Sequence, residues 1–347
     1  MARFLQIDGA RGEGGGQVLR TALSLSAVTG QPFEITRIRA HRPIPGLRPQ
    51  HLAAVRAAAL VSGARVGGAF DGSPDLRFEP GTLRPGEFRF EIATAGALTL
   101  VLQTVLVPLA RAGAERSRVT VSGGTHVPAS PSYHYLANHW AAVVERLGLR
   151  VAPRLERAGF SPRGGGAATV DVQPWAGATV PLVLEERGPL LSIRGTAGMG
   201  RLKMDVAGAL RRAAQERLWE ARRLEVSWDE LNVPAASPGS FLLLEALFEQ
   251  GRAAFGFLGQ KGVRPDVLGD RAARTLLKFL GGEGAVDPHL ADQLAVPMAL
   301  GGKGGRVTTT EVSRHLETVA EIVSAFGIPA RTWGRRGGPG GLEVSPS

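Results

Sequence analysis

The chain has 347 residues, too many for one ordinary compact core but comfortable for two domains. Hydrophobic residues make up 44% of it and charged residues 21%, and no apolar run approaches the roughly 20 residues of a membrane span, so we expect a folded, soluble protein. The lack of cysteine excludes disulfides, thiolate zinc sites and a cysteine nucleophile, and the net charge of +10, almost all from arginine, favours nucleic-acid or nucleotide partners.

The N-terminal part of the chain predicts a strand, a glycine-rich turn and a helix. Phe4–Asp8 alternates as a short strand and lacks the long apolar stretch of a signal peptide, so we expect a cytoplasmic protein. Glycines at 12 and 14–16 precede a helix whose apolar residues run from Val18 to Val28 and which Gly30 ends. A strand, an alanine-rich helix and a further strand are predicted next, at Phe33–Arg39, Leu52–Val61 and Ala64–Val66.

Two later stretches repeat this order of elements. The second unit has predicted strands and helices at Phe88–Ile92, Ala97–Ala110, Arg118–Ser122, Leu136–Leu147, Arg150–Leu155 and Ala168–Val172. The third unit has them at Asp292–Ala299, Arg306–Thr310, Ser313–Phe326, Arg331–Trp333 and Leu342–Val344. Because the units agree in element order and not in residue identity, we predict a structural repeat.

The region 184–276 has a different order. Its predicted elements are Leu191–Arg194, a charged helix at Met204–Arg222, strands at Leu224–Trp228, Phe241–Phe248 and Ala254–Leu258, and a helix at Arg271–Phe279. Because the third unit resumes afterwards, we interpret 184–276 as a smaller α/β domain inserted into a large domain formed by 1–183 and 277–347. The predicted fold class is therefore α/β (α+β), with three repeated two-helix, four-strand units and one insert.

The glycine turn is the first candidate for chemistry. Glycines before a helix let backbone amides approach an anion, although the spacing matches neither the P-loop nor the dinucleotide fingerprint. A plain strand-to-helix turn is the alternative. Glu13 stands out because an acid in a phosphate-type turn is costly unless it holds a metal ion. Nearby arginines suit a bidentate grip on phosphate oxygens or, alternatively, a solvated basic face; they are Arg20, Arg39, Arg42 and Arg48.

Among the histidines, His315 follows a good helix cap, Ser313, and is expected in the first turn of a helix. The helix dipole there disfavours imidazole protonation and stabilises a phosphoryl group on the ring, although a lone histidine at a helix start is more often structural. His134 and His139 are five residues apart, so they do not form a one-face zinc pair, and we expect them to be surface or cap residues.

Seven short segments carry a resemblance to a known family. They are Asp8–Arg20, Arg39–Leu47, Gln50–Leu52, Leu102–Thr104, Ser122–Thr125, Gly159–Gly166 and Leu290–Gln293. In these segments, which follow the family's order along nearly the whole chain, the sequence resembles RNA 3′-terminal phosphate cyclases. The resemblance is weakest in the insert.

The resemblance implies a fold and a reaction. The family's fold has three two-helix, four-stranded repeats with a smaller α/β domain inserted before the third. In its chemistry a histidine attacks the α-phosphate of ATP, the AMP passes to an RNA 3′-phosphate, and the neighbouring 2′-OH closes a 2′,3′-cyclic phosphate. It also implies ATP and a divalent metal, Mg²⁺ or Mn²⁺, as cofactors.

The resemblance also implies functional residues, at the positions of this sequence that match the family's motifs. His315 is the expected nucleophile, Glu13 the expected metal ligand, and Pro131 is expected to pack on the adenine. The ATP site is expected to be lined by Gln103, His289, Leu290, Ala291, Asp292 and Gln293. The residues expected to bind the triphosphate or the RNA end are Arg20, Arg39, Arg42 and Gln50. Other members often have an aromatic residue such as tyrosine where this chain has His289, and imidazole can also stack on a purine.

Two other functions stay open. One is a non-catalytic relative that binds RNA during ribosome assembly; such relatives lack the nucleophile, so the presence of His315 favours the enzyme. The other is a small-molecule enolpyruvyl transferase, which has a related repeat architecture but does not need ATP. Activity on 5′-phosphates or DNA ends, the oligomeric state and the preferred metal are left open by the sequence.

Overall fold

The computed structural model describes residues 3–202 and 204–346. The first unit is a four-stranded sheet with two helices: β1 (Leu5–Asp8), α1 (Gly16–Thr29), β2 (Phe33–Thr36), α2 (Pro49–Ser62), β3 (Arg65–Gly67) and β4 (Leu76–Glu79). The second unit repeats it: β5 (Glu87–Glu91), α3 (Leu98–Ala110), β6 (Ser117–Gly123), a π-helical turn (Tyr135–Trp140) leading through α4 (Ala141–Val144) to a 3₁₀ turn (Glu145–Leu147), β7 (Val151–Arg157) and β8 (Gly166–Val172).

The third unit is interrupted by the insert after its first strand, β9 (Leu182–Leu184). The insert contains β10 (Leu190–Gly200), α5 (Val206–Arg222), β11 (Ser227–Asn232), β12 (Gly239–Phe248), β13 (Arg252–Leu258) and α6 (Pro265–Leu280). The third unit then continues with α7 (Pro288–Leu300), β14 (Gly305–Thr309), α8 (Arg314–Ala325), β15 (Ala330–Gly334) and β16 (Gly340–Val344). The predicted limits of 184 and 276 for the inserted domain stay a prediction.

The three large-domain sheets share one topology. Their strand orders are β1-β2-β4-β3, β5-β6-β8-β7 and β9-β14-β16-β15. In each sheet the first two strands pair parallel and the other two pairings are antiparallel. The insert sheet has a different order, β11-β10-β12-β13. The predicted fold class, three repeated two-helix, four-strand units and one smaller insert, is confirmed.

Helix packing places the core of the large domain between its sheets. Helix α1 shows the local cause: its apolar residues at helical spacing, such as Val18, Leu19 and Leu23, are all fully buried. Gly30 then ends the helix with φ 74°, in the left-handed region that glycine adopts without strain. The insert has its own apolar core between α5, α6 and its sheet. Among the described residues, no helix is long and apolar enough to cross a membrane.

Both ends of the insert meet the same residue of β14. The Thr308 hydroxyl donates to the Glu185 carbonyl over 2.7 Å and accepts from the Ala285 amide over 2.9 Å. The chain therefore enters and leaves the insert at one place on the third sheet.

Several local predictions differ from the structure. The short strands β4 and β9 were not predicted, and β11 begins at Ser227, three residues later than expected. Helix α6 begins at Pro265 rather than Arg271, because proline at the first helical position is preorganised for a helix start.

The prediction that His134 and His139 are surface or cap residues is wrong for His139, whereas His134, although buried, stands at the N-cap of the π-helical turn. His134 is 7% exposed and His139 is fully buried. Each imidazole has one hydrogen-bond partner far away in sequence or in the adjoining loop: His139 Nε2 bonds Asp287 and His134 Nδ1 bonds His126. Among the described residues, the buried His139 Nδ1 has no partner. A buried polar side chain is tolerated when it is paired in this way.

Candidate active site

A cavity of about 580 Å³ lies between the large domain and the insert. The start of α1, the first turns of α7 and α8, and the loop before the π-helical turn form one side, and strand β13 of the insert forms another. Most of the predicted site residues line it: Glu13, Arg20, Arg39, Arg42, Gln50, Gln103, Pro131, His289, Asp292, Gln293 and His315.

Two predicted site residues do not reach the cavity wall. Leu290 and Ala291 are fully buried in the large-domain core. The helical period explains this, because residues 289, 292 and 293 share one face of α7 while 290 and 291 point away from it.

The glycine turn packs directly against α8. Gly12 has φ 60°, and a Cβ atom there would lie 2.0 Å from Thr318 Oγ1. Glycine is therefore required by both backbone conformation and contact. The first turn of α1 receives no side-chain cap at Gly15, and Gly16 and Gln17 line the cavity. An uncapped helix N-terminus at a cavity favours a negatively charged ligand.

Glu13 joins the turn to the predicted nucleophile. Its Oε2 atom lies 2.9 Å from His315 Nε2 and 2.9 Å from Arg42 Nη2. Burial opposes ionisation of Glu13, but the hydrogen bond and charge of His315 bring its pKa below the ordinary value. The carboxylate is therefore ionised and shared between two positively polarised groups.

His315 stands where the sequence predicts, at the second residue of α8, behind the cap formed by Ser313 Oγ and the Leu316 amide at 3.0 Å. Its side chain is 46% exposed. The predicted lowering of its proton affinity is wrong. The hydrogen bond to Glu13 raises the pKa of His315, because a carboxylate in direct contact acts more strongly than the partial charge of a helix end.

The arginines at the cavity remain cationic but have different local roles. Burial lowers the pKa of Arg20 to about 10, so it is still charged at neutral pH, and it hydrogen-bonds Gln17 over 3.2 Å. Arg39 Nη1 donates to the carbonyls of Ile44 and Gly46, which shapes the proline-rich loop at the cavity mouth. Arg42 is held by Glu13. Together they provide positive charge for more than one phosphate.

Several other residues that line the cavity are held by specific partners. Gln103 on α3 donates to Gln293 on α7, which ties two units together. Gln50 Oε1 accepts from the Ala97 amide at the start of α3, over 2.9 Å. Asp292 is buried, and burial raises its pKa to about 6. The Pro131 carbonyl accepts from Thr99 over 2.7 Å, which fixes the proline ring at the cavity.

His51 is a cavity residue that the predicted site set omitted. Its Nδ1 atom accepts from the Arg48 amide over 3.1 Å, so in the neutral ring the proton is assigned to Nε2. Burial, with the charges of Arg20 and Arg39 next, lowers the pKa of His51 to about 3. It is therefore a neutral hydrogen-bond donor. The signal for it was the Gln50–Leu52 motif, in which only Gln50 was given a role.

The residues present allow a metal brought by a nucleotide. Within residues 3–202 and 204–346, no group of three or more histidine, aspartate or glutamate side chains forms a metal cage. Mg²⁺ is usually held by one or two carboxylates together with substrate phosphates and water. Glu13, an ionised carboxylate beside the glycine turn, fits such a single protein ligand.

Comparison with known proteins agrees with the motifs. The family described as RNA 3′-terminal phosphate cyclase matches residues 11–329. The chain belongs to this family. Similar cyclases include one from Ralstonia nicotianae, 44% identical and covering 94% of this chain and 92% of its own length. Another is from Pseudomonas fluorescens, 45% identical and covering 94% and 93% respectively. A third is from Ectopseudomonas mendocina, 42% identical and covering 93% and 92%. The range matched by the family, 11–329, includes the glycine turn and His315.

Proposed function

We propose that the chain uses ATP to convert the 3′-phosphate of an RNA end to a 2′,3′-cyclic phosphodiester, through an AMP carried by His315. The observation that carries the proposal is that one half-exposed imidazole meets the glycine turn, the arginines and Gln103 around a single cavity. Family membership supports the RNA end as the substrate.

In the first step His315 Nε2 attacks the α-phosphorus of ATP, and the bond to the β-phosphate breaks as pyrophosphate leaves. The uncapped N-terminus of α1 and the charges of Arg20 and Arg42 stabilise the negative charge that develops on the phosphates. Attack requires Nε2 without its proton, so that proton must first pass to the Glu13 carboxylate or to solvent, while the ring keeps its proton on Nδ1. A divalent ion held by Glu13 would neutralise charge on the triphosphate.

In the second step an oxygen of the RNA 3′-phosphate attacks the same phosphorus and the bond to His315 breaks, which leaves an RNA–adenylate anhydride. In the third step the 2′-OH attacks the RNA phosphorus, loses its proton and expels AMP. An oxygen of the free RNA 3′-phosphate is a poor leaving group, and attaching AMP to it provides a good one. This is the reason for using a nucleotide. Arg39, which also lines the cavity, would bind the RNA phosphate.

Incubation with ATP labelled at the α-phosphate tests the nucleophile. The wild-type protein should take up label in an acid-labile, alkali-stable bond, and His315→Ala should not. His315→Gln is the matched control for folding, because its amide can keep a hydrogen bond to Glu13 but cannot accept the phosphoryl group. Label on either variant would contradict the assignment, and no label on the wild type would favour a binding protein or an enolpyruvyl transferase.

The RNA ends are tested with matched oligonucleotides. A 3′-phosphorylated RNA should become resistant to phosphatase, whereas a 3′-hydroxyl end should not change. An RNA with a 2′-deoxy terminal nucleotide and a 3′-phosphate should stop at the anhydride, because the attacking hydroxyl is missing. Cyclisation without ATP would contradict the proposal.

A further inference from the structure

Asp287 is a buried carboxylate with a full set of hydrogen-bond donors. It is the N-cap of α7 and has no exposed surface. Oδ1 accepts from the amides of His289 and Leu290, over 3.1 and 3.0 Å. The Tyr135 hydroxyl donates to Oδ1 over 2.9 Å and His139 Nε2 to Oδ2 over 2.8 Å.

The same carboxylate also contacts the insert. The Ala254 amide of β13 donates to Asp287 Oδ2 over 3.2 Å. An isolated bridge between Arg252 and Val286 runs beside this contact. Asp287 therefore joins three parts of the chain: the start of α7, the π-helical turn of the second unit and one strand of the insert.

Two of these parts also line the candidate active site. Strand β13 lines the cavity with Ala254, Gly256 and Leu258, and α7 lines it with His289 and Asp292. The relative position of these two elements therefore affects the width of the cavity. Burial alone would favour the neutral acid, but the hydrogen bond from His139 leaves the pKa of Asp287 below its ordinary value, so the carboxylate can accept from every donor.

We propose that Asp287 is a positioning residue that fixes the width of the cavity by joining α7 to strand β13, with His139 and Tyr135 as the side chains that hold it. This inference rests on the proposed function for its kinetic consequence. If α7 and β13 separate in some of the molecules, only the remaining molecules bind the nucleotide. The apparent affinity for the nucleotide is then the intrinsic affinity multiplied by the fraction of molecules in which the two elements are joined.

His139 offers a matched pair of variants. Glutamine can place an amide N–H near the position of imidazole Nε2, whereas leucine removes the donor at similar size. His139→Leu should raise the KM for ATP about tenfold or more with a much smaller change in kcat, because a hydrogen bond to a buried charge is lost. His139→Gln should stay within about threefold of wild type, which corresponds to less than one ordinary hydrogen bond.

The two tyrosines of the chain give a second pair, which covers the case in which the histidine variants fail to fold. Tyr135→Phe removes the hydroxyl that contacts Asp287, and Tyr133→Phe removes a neighbouring buried hydroxyl that is not bonded to it. Only Tyr135→Phe should raise the KM for ATP. A purely structural role would lower the melting temperature and the active fraction but leave KM unchanged, and that result would overturn the proposal.

Hydrogen exchange provides a readout that does not depend on activity. In His139→Leu the amides of 252–258 and of 288–292 should exchange faster together, while those of β1 and β2 should not change. If the wild-type protein takes up no AMP, the proposed function fails. The exchange experiment still tests the contact between α7 and β13, because it does not depend on activity. Exchange that rises in only one of the two segments, or equally in His139→Gln, would refute the positioning role.

Discussion

Acid should destabilise this protein through histidines that are buried without charge, and His134 gives the clearest case. Its imidazole lies between the large domain and the insert, stacked on Phe241 with 4.3 Å between ring centroids and with Nδ1 2.9 Å from His126 Nε2. Burial lowers its pKa to about 4. Placing a charge on a ring in such surroundings is unfavourable, because the ring would lose most of its hydration.

The magnitude follows from proton linkage. An unfolded histidine takes up a proton below a pKa of about 6.5, whereas folded His134 stays neutral down to about pH 4. The stabilisation is therefore complete above pH 6.5 and is lost as the pH falls below that value. Between pH 7 and pH 5 the difference in proton binding amounts to about 2 kcal/mol for this one residue.

Urea unfolding followed by tryptophan fluorescence at pH 7, 6 and 5 measures this loss. His134→Asn keeps a polar atom near Nδ1 but cannot titrate, so its free energy of unfolding should fall by about 2 kcal/mol less than that of wild type over the same range. The same substitution at the exposed His41 is the control for replacing a histidine outside this buried pair. If wild type and His134→Asn lose stability in parallel, the ring is not held neutral and the reasoning is refuted.

Three further changes test the site. Gly12→Ala should lower the free energy of unfolding in urea by about 2 kcal/mol or more, because of left-handed backbone strain and the clash with Thr318. Adding Thr318→Ala should recover only the part that is due to the clash. A single variant as stable as wild type would contradict this. Glu13→Gln should lower the pKa of His315, because the carboxylate of Glu13 raises that pKa in the wild-type protein. NMR titration of the imidazole without ATP measures the change, and an unchanged titration would show that the contact is absent in solution. Arg20→Leu should weaken ATP binding about tenfold or more by calorimetry, since a charge-assisted contact to phosphate is lost, while Arg20→Lys should lose less; equal losses would argue for a packing role instead.

Periodicity in the sequence was sufficient to predict the repeat architecture but not its shortest strands. Helix α1 shows its apolar spacing and its terminal Gly30 directly in the sequence. Strands β4 and β9 have four and three residues, too few for an alternating pattern to stand out, and β9 is separated from its unit by the whole insert. The third unit therefore looked one strand short in the sequence.

Motifs in the sequence predicted residues that the structure brings to one cavity, and their roles stay predictions, but the protonation states of these residues were not predictable from the sequence. The helix cap before His315 correctly placed the ring in the first turn of a helix. Its proton affinity depends on Glu13, about three hundred residues earlier, and no local pattern reports that contact. The same holds for His139, whose partner Asp287 lies 148 residues away and turns an expected surface residue into a buried one.

Because both ends of the insert meet at Thr308, the segment between Glu185 and Ala285 could be removed by joining these two residues. A linker of a few glycines from Glu185 to Ala285 would close the gap without disturbing the third sheet, since the two positions already share one hydroxyl. The shortened protein would retain His315 and the glycine turn but present them on an open surface. Grafting the corresponding segment of a relative into the same gap would then exchange one wall of the cavity while the rest of the catalytic scaffold stays as it is.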